Sequence, residues 1–189
     1  MKTNKIILSA LVAAGMMSGL AAMPAMAAAG DGTLNFTGSV VDAACTVAPD
    51  SKNMTVDFGT IGLVAFQNNS YPFGINNKSI KIELTNCPST ISSAAVAIVG
   101  NSVPVFGYDG EGLAVDEGAG SAKDVAIMFA GTDGHVALYV NGPSSAAVPL
   151  TEGVNTIIVS AGLKVRDGVS ANASAGTISA TAQYNIVYP

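Results

Sequence analysis

The chain has 189 residues, of which 49% are hydrophobic and 11% are charged, and its formal net charge is −5. An acidic chain without a basic cluster argues against nucleic acid as a partner, and the length allows one domain with a substantial core. Small and β-branched residues dominate and no long helical period appears, which predicts an all-β domain. So low a charge content also indicates that partners cover much of the surface.

Residues 1–27 have the form of a signal peptide. Lys2 and Lys5 supply a positive start, an apolar stretch follows, and Ala25-Met26-Ala27 matches a cleavage site. A membrane anchor is the alternative, but the apolar stretch is short and is interrupted by glycines. The sequence therefore predicts export, and cleavage leaves a mature chain of about 162 residues with a net charge of about −7.

Short apolar runs separated by Gly, Pro, Asn, Asp and Ser predict a succession of strands. In chain order the predicted strands are 34–41, 44–47, 54–58, 79–84, 94–99, 125–129, 135–140, 154–165 and 176–188. Residues 131–134 (Gly-Thr-Asp-Gly) predict a hairpin turn, and residues 108–123 and 167–175 predict loops. This spacing of strands and turns predicts a β-sandwich without crossover helices.

The most regular alternation lies at the C-terminus. One parity there is mainly apolar and consists of Gly176, Ile178, Ala180, Ala182, Tyr184, Ile186 and Tyr188. Mainly polar residues stand between them, which predicts one long strand with two unlike faces. A matching alternation near the N-terminus consists of Gly32, Leu34, Phe36, Gly38 and Val40. Two terminal strands of matching pattern suggest that the chain pairs end to end with copies of itself or with close relatives.

The two cysteines, Cys45 and Cys87, are predicted to form a disulfide because export takes them to an oxidising compartment. A zinc site is the alternative, but the chain offers no further ligands at suitable spacing. His135, the one histidine, is far from both cysteines in sequence and is better explained as a residue at a strand edge.

No group of residues predicts an enzyme, a metal site or a cofactor. A nucleophile needs a base beside it, and His135 is the single histidine of the chain. No Gly-x-Ser-x-Gly turn is present, and the acidic residues lack the spacing of a calcium loop.

Several stretches together resemble the chaperone–usher fimbrial subunits, and within them the major-subunit group of type 1 fimbriae. The run from Gly32 to Cys45 is similar to the family's donor segment, with Gly38 at the family's glycine position seven residues before the first cysteine. Phe58-Gly59 resembles the short Phe-Gly element of the family, and Cys87 its second cysteine. Gly176 and Tyr188 stand fourteenth from the end and next to last, where the family has a glycine and an aromatic residue.

The resemblance implies an immunoglobulin-like sandwich that lacks one strand and has a groove beside its C-terminal strand. It divides the chain into a signal peptide (1–27), a donor segment (28–44) and a pilin domain (45–189). A periplasmic chaperone would fill the groove first, and the donor segment of the next subunit would replace it at the outer-membrane usher. The apolar side chains of the N-terminal strand would then enter the groove of a neighbouring subunit. The apolar side chains of the C-terminal strand would line the groove of their own subunit or face the chaperone.

The expected function is that of a structural subunit of a fimbrial shaft, exported through the periplasm to the cell surface, where the fibre supports cell adhesion. Three alternatives to this interpretation remain. In the first, the segment from Leu34 to Val40 pairs within its own chain as an ordinary first strand. In the second, the chain is a minor or adaptor subunit, because such subunits have the same motifs. The third is a secreted sandwich that binds carbohydrate, for which Tyr108 and Tyr139 are candidate aromatic residues.

Overall fold

The computed structural model describes residues 34–38, 44–67, 73–105, 107, 110–132, 134–166 and 172–189. The chain divides into two units, Met1–Ser39 and Val40–Pro189. The predicted signal peptide lies outside the described residues. In the first unit, residues 34–38 carry no regular secondary structure, and Leu34 and Phe36 are 82% and 89% exposed. No helix in the described part of the chain is long and apolar enough to cross a membrane.

The described part of the second unit consists mainly of strands. Its elements are β1 (Thr46–Val47), α1 (Pro49–Lys52), a 3-10 helix (Leu63–Gln67), β2 (Ile75–Cys87), β3 (Ser93–Gly100), β4 (Ser102–Pro104), β5 (Glu111–Ala114), β6 (Val125–Ala130), β7 (Ala137–Leu138), β8 (Val148–Pro149), β9 (Gly153–Val165) and β10 (Ala182–Val187).

The strands form two antiparallel sheets. In the larger sheet the strand order is β1-β2-β9-β6-β5-β4, with β7 also paired to β6. In the smaller sheet the order is β10-β3-β8, so β10 is an edge strand. Inward side chains of β2, β3 and β9, among them Leu84, Val96 and Leu163, are fully buried and form the core. This arrangement confirms the predicted all-β sandwich.

The structure extends several predicted strands and shortens others. The predicted strand 79–84 runs from Ile75 to Cys87, because β9 pairs with β2 along nearly its whole length. β9 also continues through Gly162 without interruption. By contrast, the predicted strand 135–140 keeps a ladder only at Ala137–Leu138. The strand predicted at 54–58 is wrong as a strand, because no described strand forms a ladder with it.

Some elements escaped the sequence analysis. The loop predicted at 108–123 contains β5, which is short but pairs on both sides, with β4 and β6. The helix α1 also has no counterpart among the predicted elements, and it begins at Pro49, a favoured residue in the first turn of a helix. The hairpin turn is as predicted: Gly131 N–H donates to Val136 C=O at 2.9 Å, and β6 pairs with β7.

The last predicted strand is shorter than its alternation suggests. β10 begins at Ala182, and the preceding residues are held by the loop after β5. Thr177 N–H donates to Gly120 C=O at 2.8 Å, and Asp116 N–H donates to Ser179 C=O at 2.7 Å. Gly176 lies against the same loop, where a Cβ would stand 2.6 Å from the Gly120 carbonyl oxygen and closer still to backbone atoms of the next two residues. The alternation in the sequence therefore begins several residues before β10 does, and it is longer than the paired strand.

We expect Gly176→Ala to lower the free energy of unfolding by about 1–3 kcal/mol, because two backbone segments must move apart to admit the methyl group. Gly118→Ala in the same loop is the matched control, since its added Cβ would stand 3.5 Å from Ser121 Oγ, an ordinary contact. Thermal unfolding of the mature chain measures both. Equal stability of the two variants would contradict the close approach at Gly176.

Candidate functional site

A groove of about 910 Å³ opens between the edge strand β10 and residues 52–58, which continue from the end of α1. Its floor is apolar and comes from the larger sheet. The floor residues on β2, β6 and β9 are Ile80, Ile82, Ile127, Phe129, Val159 and Ala161. Ile80 is half-buried, and the other five floor residues are already buried at 7% exposure or less, so the groove lies over the core.

One bank of the groove is the C-terminal strand. Along it, Tyr184 and Ile186 are half-buried while Gln183, Asn185 and Val187 are exposed. Of the seven residues predicted to face the groove, four line it: Ala180, Ala182, Tyr184 and Ile186. Ile178 and Tyr188 pack against the core outside this lining, and Gly176 lies against the loop after β5.

The backbone hydrogen bonds of β3 determine which N–H and C=O groups of its neighbour β10 point away from the sheet. Asn141 N–H donates to Ile98 C=O and Ser145 N–H to Val96 C=O, both at 2.8 Å, so these two β3 residues point their backbone groups away from β10. Backbone groups alternate in direction along a strand. The alternate β3 residues therefore pair with Gln183, Asn185 and Val187 of β10.

It follows that the N–H and C=O groups of Ala182, Tyr184 and Ile186 point toward the groove. No described strand lies on that side of β10. All three line the groove, as do Thr181, Gln183 and Asn185 beside them, and Tyr184 and Ile186 also pack their side chains against the core. This edge thus offers both a backbone ladder and an apolar surface to an extended segment, which is the arrangement that strand addition requires.

The other bank alternates like a strand but has no ladder. Met54, Val56 and Phe58 are half-buried, and the residues between them are exposed. The Asn76 side chain donates from Nδ2 to Phe58 C=O at 2.5 Å and fixes the far end of this bank. Two extended segments therefore face each other across a gap.

Two tyrosines of the C-terminal segment donate hydrogen bonds to residues near the disulfide. The Tyr184 hydroxyl donates to Ser51 C=O at 2.5 Å, and the Tyr188 hydroxyl donates to Cys45 C=O at 3.5 Å. Ser51 is itself anchored, because its Oγ accepts from Glu83 N–H of β2 at 2.9 Å. Burial raises the pKa of both tyrosines, and for Tyr188 the bond to Cys45 partly offsets that increase. These bonds tie β10 to the larger sheet.

The disulfide joins Cys45 to Cys87 with an S–S distance of 2.10 Å, which confirms the predicted pairing. It adjoins the short ladder in which Thr46 faces Thr85 and Val47 faces Leu84. The start of the domain is therefore fastened covalently to the end of β2.

The remaining predicted residues are placed as follows. Leu34, Phe36 and Gly38 are exposed, whereas Gly32 and Val40 lie outside the described residues, so a donor role for this segment stays a prediction. His135 is exposed in the turn after Gly134. Tyr139 is half-buried on a small cluster around Met128, and Tyr108 lies outside the described residues.

Parts of the groove have no counterpart among the predictions from sequence. Ser51 had no visible role, since its carbonyl bond to Tyr184 joins residues 133 positions apart. The alternation of Met54, Val56 and Phe58 predicts an ordinary strand, and nothing in it indicates that this segment borders a groove. The floor residues lie in segments that the sequence predicts as core strands. No pattern in these segments indicates which strand edge of the sandwich is left uncovered.

Comparisons with known proteins agree on one family. A family model described as "Fimbrial protein" matches residues 34–189. The chain is 30% identical over 190 residues to the Fimbria A protein of Serratia marcescens, with 100% of this chain and 99% of that protein covered. It is 31% identical over 188 residues to the type-1 fimbrial protein A chain of Escherichia coli K12, with 97% and 95% covered.

Solved structures agree on the fold. A subunit in a structure of a chaperone-usher pilus superposes with a TM-score of 0.60 at 25% identity, with 85% of this chain and 96% of that chain covered. The P pilus rod subunit PapA superposes with a TM-score of 0.61 at 24% identity, with 78% and 100% covered.

We expect stability to fall at alkaline pH in part through Tyr184. Its pKa is raised in the folded chain, so its contribution is present below the unfolded value of about 10 and is lost as the pH rises through the folded value. Tyr184→Phe should therefore show a smaller fall in melting temperature than the parent between about pH 9 and 11. An identical fall in both chains would contradict the buried hydroxyl bond.

Removal of the disulfide should destabilise the domain by about 4 kcal/mol on the chain-entropy model, given a sequence separation of 42 residues. The test compares Cys45→Ala with Cys87→Ala in one chain against the exposed neighbour Thr46→Ala, by thermal unfolding and by yield in the periplasm. Unchanged melting and yield in the double variant would show that the disulfide has no structural role.

Proposed function

The chain belongs to the fimbrial protein family, and we propose that it polymerises head to tail by donating its N-terminal segment to the groove of the next copy. It is a structural subunit of a fimbria, exported to the cell surface as part of that fibre, and it interacts with other pilus subunits. The observation that carries the proposal is the groove beside β10, where an apolar floor and an uncovered strand edge lie together.

The side chains of the N-terminal segment suit this groove. Leu34 and Phe36 are large, apolar and highly exposed in the single chain, and they lie on the parity opposite to Thr37. Full burial of each stabilises the assembly by roughly 1.5–3 kcal/mol. Val40 shares that parity and would add a third side chain.

The backbone of the segment would also form hydrogen bonds with β10. Ala182, Tyr184 and Ile186 each present one N–H and one C=O to an incoming strand. Each hydrogen bond formed there contributes about 0.5–1.5 kcal/mol net, and each group left unpaired after desolvation costs about as much or more. The bank at Met54–Phe58 gives the strand a second neighbour. A donated strand therefore removes two defects of the single chain at once.

Donation in one direction produces a fibre. Each copy gives one segment and receives one, so the contact is heterologous and does not close on itself. We place this chain in the shaft, because its full-length relatives include the major MR/P fimbria protein of Proteus mirabilis, at 31% identity with 100% of this chain covered. The role is structural rather than enzymatic, as in those relatives.

Before assembly the groove needs another occupant, since a long apolar edge invites uncontrolled pairing. In this proposal a periplasmic chaperone covers β10 with one of its own strands, and the donor segment of the next subunit replaces that strand at an outer-membrane usher. The carbohydrate-binding alternative loses one of its two candidate aromatics, because Tyr139 packs on Val105 and Met128 rather than standing free on the surface.

We expect Phe36→Asp to abolish fibres while the subunit still accumulates with its chaperone, because a carboxylate cannot enter an apolar groove without a large desolvation cost. Thr37→Asp is the matched control, one position away on the opposite parity, and should leave fibres intact. Electron microscopy of cells and gel analysis of unheated polymers measure both. Normal fibres from the Phe36→Asp chain would refute donation by this segment.

A further inference from the structure

β2 also has an uncovered stretch of edge, on the side away from β9. Ala48 N–H donates to Glu83 C=O at 2.9 Å and Glu83 N–H donates to Ser51 Oγ at 2.9 Å, so the backbone of Glu83 points away from β9. Because backbone groups alternate in direction along a strand, those of Ser79 and Lys81 point the same way. β1 pairs only with the end of β2, and no described strand covers the edge at these two residues. Their backbone groups therefore form a short edge to which a further strand could bond.

A cleft of about 480 Å³ lies along this edge and is lined by β2 and by residues 53–57. Residues 53–56 line both this cleft and the groove beside β10. In the described chain no backbone hydrogen bond joins residues 53–57 to Ser79 or Lys81. An extended segment that approaches this side of a copy therefore meets two uncovered strand edges.

The two sites differ in charge. Four of the ten residues that line the cleft are charged, namely Asp50, Asp57, Lys78 and Lys81. Of the twenty-two described residues that line the groove beside β10, only Lys52 is charged. Both edges offer backbone groups, but burial of an ionised group without a partner is costly. Apolar side chains can therefore be buried at β10 with less loss than at β2.

Lys78 and Lys81 lie on opposite faces of β2 at this edge. Residues opposite each other on paired strands share a face, and Lys78 is opposite the buried Ala161, so it is on the inward face, where it is half-buried. Lys81 is opposite Ile158, and both are exposed on the outer face. A strand added here would meet a lysine on each of its faces. Lysines and inward-pointing charges are among the features that keep edge strands unpaired.

We infer that Lys78 and Lys81 are specificity-determining residues of assembly. They keep the N-terminal segment of another copy away from the edge of β2, so that the segment enters the groove beside β10. The inference rests on the proposed function and explains how a chain with two uncovered edges joins at one of them. A segment paired with Ser79 and Lys81 would place its apolar face against Lys78. Either that ammonium group loses water or the apolar side chains stay wet, and both outcomes remove the gain that the groove provides.

The division of the full-length chain between fibres and insoluble material in cells tests the two lysines. Lys78→Val with Lys81→Val should lower the fibre yield at least about threefold and raise the insoluble fraction, because the edge becomes a second acceptor. Lys78→Arg with Lys81→Arg keeps both charges and should behave as the parent. Unchanged fibres and solubility in the double valine chain would overturn the inference.

A single substitution provides the matched control for lost charge. Lys81→Val should give a smaller change in the same direction as the double valine chain. Lys123→Val removes one exposed lysine that does not line the cleft and should leave fibre yield and solubility unchanged. An equal loss of fibres in Lys123→Val and Lys81→Val would show an effect of net charge and would overturn the role of the edge.

A third substitution identifies the captured segment. In the double valine chain, Phe36→Asp should return the insoluble fraction to the level of Phe36→Asp alone, because a carboxylate prevents burial of this segment at either edge. Insoluble chain that persists in the triple variant would come from misfolding or general aggregation and would overturn the inference.

The two proposals fail differently. Fibres from Phe36→Asp in the parent chain would remove donation by the N-terminal segment. Loss of those fibres, together with normal assembly of the double valine chain, would leave donation intact and remove the role of the two lysines.

Discussion

The structure depends on an uncovered strand edge. Ala182, Tyr184 and Ile186 present backbone donors and acceptors at the rim of an apolar groove, and no described strand satisfies them. Backbone polar groups need partners when they are removed from water, and half-buried apolar residues at the groove, such as Ile80 and Ile186, gain stability when water leaves them. One extended segment would meet both needs, and we therefore propose that copies of the chain join at this edge.

The rest of the domain keeps this edge open without losing the fold. The larger sheet is continuous, and β9 lies between β2 and β6 with its inward side chains buried. The disulfide fastens Cys45 to Cys87, and the hydroxyl of Tyr184 ties the middle of β10 to Ser51. The loop after β5 holds Thr177 and Ser179, just before β10 begins. β10 is thus held in place while its outer edge remains uncovered by any described strand.

Local alternation allowed much of this fold to be predicted, because a strand with one buried face has apolar and polar residues in alternation along the sequence. It located β2, β3, β6 and β9 and the alternation of half-buried and exposed residues along β10. It did not predict where ladders end. Met54–Phe58 alternates but lacks a partner, and residues 176–181 alternate but bond to a loop. Pairing depends on distant residues such as Ser51 and Gly120, whose roles have no local signal.

The most direct test of the uncovered edge uses a mature chain shortened to begin at Cys45, melted with and without a peptide of residues 32–41. The account predicts that the shortened chain alone aggregates or melts without cooperativity, and that the peptide converts it to a soluble monomer with a sharp, higher transition. A shortened chain that melts cooperatively as a monomer, and that the peptide leaves unchanged, would contradict it.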